Sequence, residues 1–417
     1  MTDAVAVVGA GIGGLTTALS LHRQGIEVDV YESVSELQPL GVGINLLPHA
    51  MAVLEDLDLL PQLLETGVAT QSLTYFNKWG QEIWAEPRGL AAGYSVPQIS
   101  IHRGELQMLL LDAVRQRLGE QHLKLGCRVL NAANVTDAHG HTRVAFHYEG
   151  DGGDITTMQA AGLIAADGIH SRLRAQFYPD EGMPLWNGAI LWRGLVETEA
   201  WLGGRGMFMA GHQAQKFVAY PVDQAAYRRG RALTNWIAEL RFDRTDLAER
   251  EDWNRPGNFA DFADQFASWR FPWLDIAGLI TAAPQCYEFP MVDREPVSRW
   301  SFGHITLLGD AAHPMYPIGS NGASQAILDA RCISQCLRAT TDIAEAFERY
   351  QAQRLPATAA IVRANRGNGP EQVMQLAEER APEGFADIEQ VIPLRERQEI
   401  AARYKQVAGF TPGQEQQ

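Results

Sequence analysis

Gly9, Gly11 and Gly14 stand in the run Val5-Ala6-Val7-Val8-Gly9-Ala10-Gly11-Ile12-Gly13-Gly14-Leu15, an apolar stretch that feeds a Gly-x-Gly-x-x-Gly turn. In such a turn the first glycine permits the sharp bend. The second lets a pyrophosphate approach the backbone, and the third lets the following helix pack against the strand. The helix then offers free N–H groups and the positive end of its dipole to the phosphates. A second apolar run, Val28-Asp29-Val30-Tyr31, ends at Glu32, eighteen positions past Gly14. A carboxylate at about that spacing can accept hydrogen bonds from a ribose. The chemistry indicated is dinucleotide binding.

Two later stretches place polar groups at the ends of apolar runs. Leu163-Ile164-Ala165 leads into Ala166-Asp167-Gly168-Ile169-His170-Ser171-Arg172-Leu173-Arg174. Ile305-Thr306-Leu307-Leu308 leads into Gly309-Asp310-Ala311-Ala312-His313-Pro314, then Pro317-Ile318-Gly319-Ser320-Asn321-Gly322-Ala323. A carboxylate such as Asp310, at the end of a buried strand, can hold sugar hydroxyls. His170, Arg172 and His313 read equally well as polar groups of loops and core.

The pattern predicts strand, helix and strand over the first 35 or so residues, and a loop at Gly41-Val42-Gly43-Ile44-Asn45. Short helices follow at Ala50–Leu57 and Pro61–Glu65, then aromatic-rich strands over 70–85. Leu106, Leu109, Leu110 and Val114 mark a helix from Arg103 to Leu118. Residues 186–290 read as strands with a helical insertion between Phe259 and Ile280, and from Ala323 the pattern is helical through Tyr350 and beyond Pro356. The division expected is a discontinuous nucleotide-binding domain (1–70, 100–180, 290–365), a substrate domain (71–99, 181–289) and a C-terminal helical tail (366–417) with a frayed end at 411–417.

A chain of 417 residues is long for one core. The net charge of −15 argues against nucleic acid as a partner. No apolar run reaches the 18 or so residues of a membrane span. Asp3 stands where a signal peptide wants positive charge, so a cytoplasmic location is expected. Cys127, Cys286, Cys332 and Cys336 are scattered and imply neither a disulfide framework nor a metal site. Monomer and homodimer both remain open.

These three motifs, in this order, resemble those of the single-component FAD-dependent aromatic hydroxylases. The family pattern matches Gly9, Gly11, Gly14, Glu32, Arg103, Asp167, Gly168, Ser171, Arg174, Gly309 and Asp310. One departure is Gln38, where relatives often carry an Arg after the ribose acid. The resemblance implies an α/β fold, with a Rossmann-like FAD-binding domain interleaved with a mixed-sheet substrate domain, plus C-terminal helices. It implies FAD held by Gly9, Gly11, Gly13, Gly14, Glu32, Gly43, Ile44, Arg103, Gln107, Val129, Asp167, Asp310, Gly319, Asn321, Gly322 and Ala323. NADH or NADPH would act as transient electron donor and dioxygen as co-substrate, through a flavin C4a-hydroperoxide. Gly319 and Gly322 would let backbone press on the flavin ring, and a helix starting near Gly322 would stabilise negative charge on the reduced ring.

Oxygen transfer needs a dry, mostly apolar pocket for a small aromatic substrate. Trp192, Tyr220, Phe289, Pro314, Met315 and Pro317 are the candidate walls, with Phe208, Phe217 and Tyr316 beside them. His212 and Tyr220 are the candidate bases. Within the family, Gly41–Asn45, Ile101–Met108, Trp192-Arg193-Gly194, Pro290–Arg294 and Asn321–Ala326 are similar to phenazine hydroxylases. Salicylate hydroxylases share the general plan. This implies an aromatic substrate, polycyclic or N-heteroaromatic, with or without a carboxylate that hydroxylation can replace. A same-fold flavin reductase or oxidase, and a non-catalytic FAD-binding protein, are the competing readings.

Overall fold

The computed structural model describes residues 4–137, 140–243, 255–367, 369 and 371–408, with side chains to 402. The proposed frayed end at 411–417 lies outside the described residues.

Val5–Val8 is apolar throughout because it is buried throughout. It pairs in parallel with Val28–Tyr31 on one side and Gly162–Ala165 on the other. Ile305–Leu307 extends the sheet beyond Gly162–Ala165, and Leu123–Lys124 and Ser301–Phe302 close its edges. Continuous apolar runs of this kind suit a parallel sheet covered on both faces. Helices Ile12–Arg23, Arg103–Leu118 and Asn321–Ala339 pack beside it.

The second large sheet has seven strands. Its order is Cys286–Asp293, Leu185–Glu199, Arg231–Arg241, Gln215–Pro221, Gly206–Gly211, Ser72–Phe76 and Glu82–Pro87. Only the pairing of Gly206–Gly211 with Ser72–Phe76 is parallel. Side chains alternate between its faces. One face sends Trp192, Phe208, Phe217 and Trp236 into an aromatic core with Phe262, Phe266 and Trp269. The other sends Leu73, Tyr75, Met207, Val218 and Tyr220 against Val373, Met374, Ala377, Ile392 and Ile400 of the C-terminal helices. A mixed α/β architecture of this type is what the sequence predicts.

Three local expectations are corrected. The predicted loop at 41–45 contains a strand, Gly43–Leu46, paired antiparallel with Gln98–His102. Only Ile276–Ala282 of the predicted helical insertion is α-helix; the rest is 3-10 turns and a short hairpin whose aromatic residues fill the core. The helix from residue 323 begins at Asn321 and is two helices. The first ends at Ala339, and Asp342 caps the second, Ile343–Asn365, by accepting from the Glu345 N–H.

Candidate functional site

The glycine turn sits at the C-terminal end of the parallel sheet. Gly9 has φ +103°, a conformation costly for any residue with a Cβ. A Cβ on Gly14 would overlap the Gly9 carbonyl oxygen, whereas one on Gly11 would meet nothing within 4 Å. Gly14 is therefore required by packing, whereas the space over Gly11 is open among the described residues. Gly11 caps the helix Ile12–Arg23 with no side-chain hydrogen bond, which leaves its first N–H groups for a ligand.

Glu32 follows the second strand directly. One oxygen accepts from the Ala10 N–H at 2.7 Å, and the other from Ser33 Oγ and the Val34 N–H. The carboxylate thus braces the glycine turn from below. Gln107 braces it from the side, donating to the Ala10 carbonyl at 2.8 Å.

Arg103 opens its helix beside residues 41–43, with its N–H bonded to the Val42 carbonyl. Its guanidinium has no hydrogen-bond partner among the described residues; Asp310 and Arg193 are its charged neighbours. Burial pushes the Asp310 carboxyl up, and His313 and Arg103 oppose that. Asp310 also lacks a hydrogen-bond partner among the described residues. Asp167 accepts from the Arg172 N–H at 2.9 Å, while its Oδ1 is buried without a partner among the described residues and burial raises its pKa. A buried acceptor such as Asp167 Oδ1 is costly unpaired, and Arg103 and Asp310 are half-buried charges. Together with the open face at Gly11 they fit a dinucleotide whose hydroxyls and phosphates would satisfy them.

His313 is spoken for. Its Nε2 lies 2.6 Å from Asp329 Oδ2, and Arg354 holds the other Asp329 oxygen at 2.7 Å. Burial works to raise the Asp329 carboxyl, but His313 and Arg354 outweigh it and hold it low.

Beyond Asp310, Gly319 (φ +67°) and Ser320 (φ +59°) turn the chain into the helix Asn321–Ala339. A Cβ on Gly322 would meet nothing within 4 Å, as at Gly11. Asn321 is fully buried and Ala323 packs partly on the core. Gly43 is gripped by the seven-stranded sheet. Its N–H donates to Asn235 Oδ1 at 2.8 Å, and its carbonyl accepts from Tyr220 Oη at 2.8 Å and Arg193 Nη2 at 2.5 Å. Ile44 follows it in the strand, and Val129 is buried in the separate sheet of Arg128–Thr136.

Not every expected wall faces this region. Leu191, Phe289, Met291 and Tyr316 form an apolar cluster with Val42 and Ala189. Trp192, one residue on, lies on the opposite face, stacked on Phe262 with ring centroids 4.8 Å apart. Phe208 and Phe217 share that far side. The cause is strand parity: a residue's neighbours in sequence point the other way. Pro314 is buried, Met315 half-buried and Pro317 exposed in the loop between Asp310 and Gly319. His212 sits in the hairpin before Gln215–Pro221, with Lys78 and Glu378 as charged neighbours. It is bonded across the turn to Gln215, and the five residues of strand from Gln215 to Tyr220 put it roughly 17 Å from Tyr220.

A cavity of about 270 Å³ adjoins the Tyr316 side. Lys216, Glu239, Met291, Tyr316, Ile318 and Glu371 are among its lining. The sequence reading passes over Arg193, Asn235, Lys216 and Glu239. A signal existed for Lys216, a lone cation in front of the apolar run Phe217-Val218-Ala219-Tyr220.

A family model described as an FAD binding domain matches residues 2–191 and 279–365. Phenazine 1,6-dicarboxylic acid hydroxylase of Lysobacter antibioticus is 47% identical over 369 residues, covering 88% of this chain and 89% of that protein. Aurachin C monooxygenase/isomerase of Stigmatella aurantiaca is 31% identical over 364 residues, 84% and 85% of the two chains. The crystal structure of Klebsiella pneumoniae HpxO with FAD and uric acid has a TM-score of 0.74 at 25% identity, covering 98% of this chain and 95% of that one.

Proposed function

The chain belongs to the FAD-dependent aromatic monooxygenases, and from that premise we propose that it hydroxylates a phenazine carboxylate, replacing the carboxylate with a hydroxyl. The observation that carries this reading is the 47% identity, over 88% of the chain, to a phenazine 1,6-dicarboxylic acid hydroxylase. The cavity beside Tyr316, lined by the apolar Met291 and Ile318 and by the charged Lys216, Arg241, Glu239 and Glu371, supports it.

In this reading FAD, when bound, supplies two-electron reduction by NAD(P)H and activation of dioxygen. The backbone from Gly9 to Gly14 holds its diphosphate, and Glu32 a ribose. Arg103, Asp167 and Asp310 gain the partners they lack. Gly43, Ile44 and residues 319–323 border the ring, with Gln107 and Val129 as outer supports. Leu191, Phe289, Met291 and Tyr316 keep water from the reacting carbon. Tyr220 holds Gly43 in place and carries no catalytic proton. The ring-activating electrons come from the substrate itself. One oxygen atom enters the new hydroxyl, the other leaves as water, and the carboxylate leaves as carbon dioxide. A cytoplasmic setting suits the supply of reduced nicotinamide.

The test is a substrate panel on the holoenzyme with labelled dioxygen. Phenazine-1-carboxylate, its 5-methyl derivative, the 1,6-dicarboxylate and salicylate form the panel. A phenazinol bearing one labelled oxygen, with carbon dioxide released, is expected. Product from salicylate alone, or unlabelled product, overturns the reading.

A further inference from the structure

Lys216 is buried between two carboxylates of different origin. Glu239 is its register partner on the neighbouring strand, with both oxygens at 3.3–3.4 Å from Nζ. Glu371 comes from the chain just before the helix Gln372–Arg380 and places Oε1 3.5 Å from the same Nζ. All three side chains line the 270 Å³ cavity. Burial works against the Lys216 charge, but the two glutamates outweigh it and keep the ammonium protonated.

The two glutamates are not held alike. Glu239 sits in the middle of a sheet, locked by backbone pairing on both sides. Glu371 Oε2 is buried with no hydrogen-bond partner among the described residues. A buried oxygen left unpaired is a standing cost, so Glu371 is the partner that leaves most readily. The cavity is also slightly below the roughly 300–1,000 Å³ usual for small-molecule sites. Swinging the Glu371 side chain away would enlarge it. The same movement would free a donor of Lys216 beside the apolar Met291, Tyr316 and Ile318. Exposed Arg241 lines the same cavity and pairs with no carboxylate among the described residues.

We propose that Lys216 is the anchor for the substrate's carboxylate and that Glu371 is a built-in stand-in for it. The incoming carboxylate takes the place of Glu371 on Nζ, while Glu239 stays and orients the ammonium. This rests on the reading of the substrate as an aromatic carboxylate. It makes selection for acids a property of one exchange: a carboxylate can replace Glu371, and a neutral ring cannot.

The experiment titrates FAD-loaded enzyme with phenazine-1-carboxylate, phenazine and benzoate, following the flavin absorbance. Lys216→Met is expected to weaken both acids at least tenfold and to leave phenazine within twofold. Glu371→Gln is expected to tighten both acids three- to tenfold, with phenazine unchanged. Equal weakening of all three ligands by Lys216→Met, or weaker acid binding by Glu371→Gln, overturns the proposal. If Lys216→Met does not retain FAD, the direction of the Glu371→Gln effect decides alone. Benzoate separates the two claims. Wild type that ignores both phenazines but binds benzoate through Lys216 loses the phenazine substrate and keeps the anchor. Wild type that binds phenazine-1-carboxylate without regard to Lys216 keeps the substrate and loses the anchor.

Discussion

The phenol of Tyr220 donates to the carbonyl of Gly43 at 2.8 Å, joining residues 177 positions apart. Gly43 belongs to the small sheet that carries the 41–46 segment, and Tyr220 to the seven-stranded sheet. The bond therefore sets how closely that segment sits against the substrate-side strands. Burial raises the phenol's pKa, with Arg193 opposing, so the hydroxyl stays protonated and serves as a donor. A general base contributes roughly 10²–10⁴-fold to a rate. Tyr220→Phe is expected to lower kcat less than tenfold, with an unchanged pH profile. Steady-state rates between pH 6 and 9 check this, and a hundredfold loss would restore Tyr220 as a base.

Gly11 and Gly14 should fail differently. Gly14→Ala places a Cβ against the Gly9 carbonyl, so the helix cannot pack and little folded protein is expected. Gly11→Ala meets no protein atom and should fold normally. Its methyl stands where a diphosphate would approach, so FAD affinity should fall at least a hundredfold, about 3 kcal/mol. Circular dichroism reads the first effect and the ratio of flavin to protein absorbance the second.

Arg103 and Asp310 are expected to act as a pair. Asp310→Asn leaves a half-buried guanidinium without its acidic neighbour, and FAD retention should fall more than tenfold. The double change Asp310→Asn with Arg103→Met should cost less than the sum of the single changes, because the two sites interact. Thermal midpoints of the apoproteins, measured together, read the coupling. Strict additivity would show that the two do not interact.

His49 makes the fold acid-sensitive. Burial, then Arg354 and Arg331, push its pKa down from 6.5 to about 3. The unfolded chain therefore takes up a proton below pH 6.5 that the folded chain refuses until about pH 3. Stability is present above 6.5 and lost as pH falls through that window, by about 2 kcal/mol at pH 5. Denaturant melts at pH 7 and pH 5 should show the loss in wild type and a smaller one in His49→Asn.

His212→Ala should leave turnover within twofold. The imidazole lies in the turn before Gln215–Pro221, whose other end carries the Tyr220 bonded to Gly43, and has Lys78 and Glu378 as charged neighbours. A large drop in kcat, with FAD content unchanged, would contradict that placement.

The cofactor side was legible because its constraints are local. A strand, a turn of three glycines and a helix follow one another within twenty residues, and each residue type answers to its immediate backbone. Glu32, Asp167 and Asp310 are proposed on the same local ground, since each ends or follows an apolar run. The substrate side was not legible, because it depends on which face of a strand a residue occupies. Trp192 and Arg193 are adjacent in sequence, yet one stacks in the aromatic core and the other reaches Gly43. Parity is a property of strand register, and register is decided by pairing partners far along the chain. Lys216 shows the same limit more sharply: its chemistry depends on Glu239 and Glu371, which only the folded chain brings to one ammonium. Sequence alone thus determined what the protein holds, and tertiary packing decided what it can place beside it.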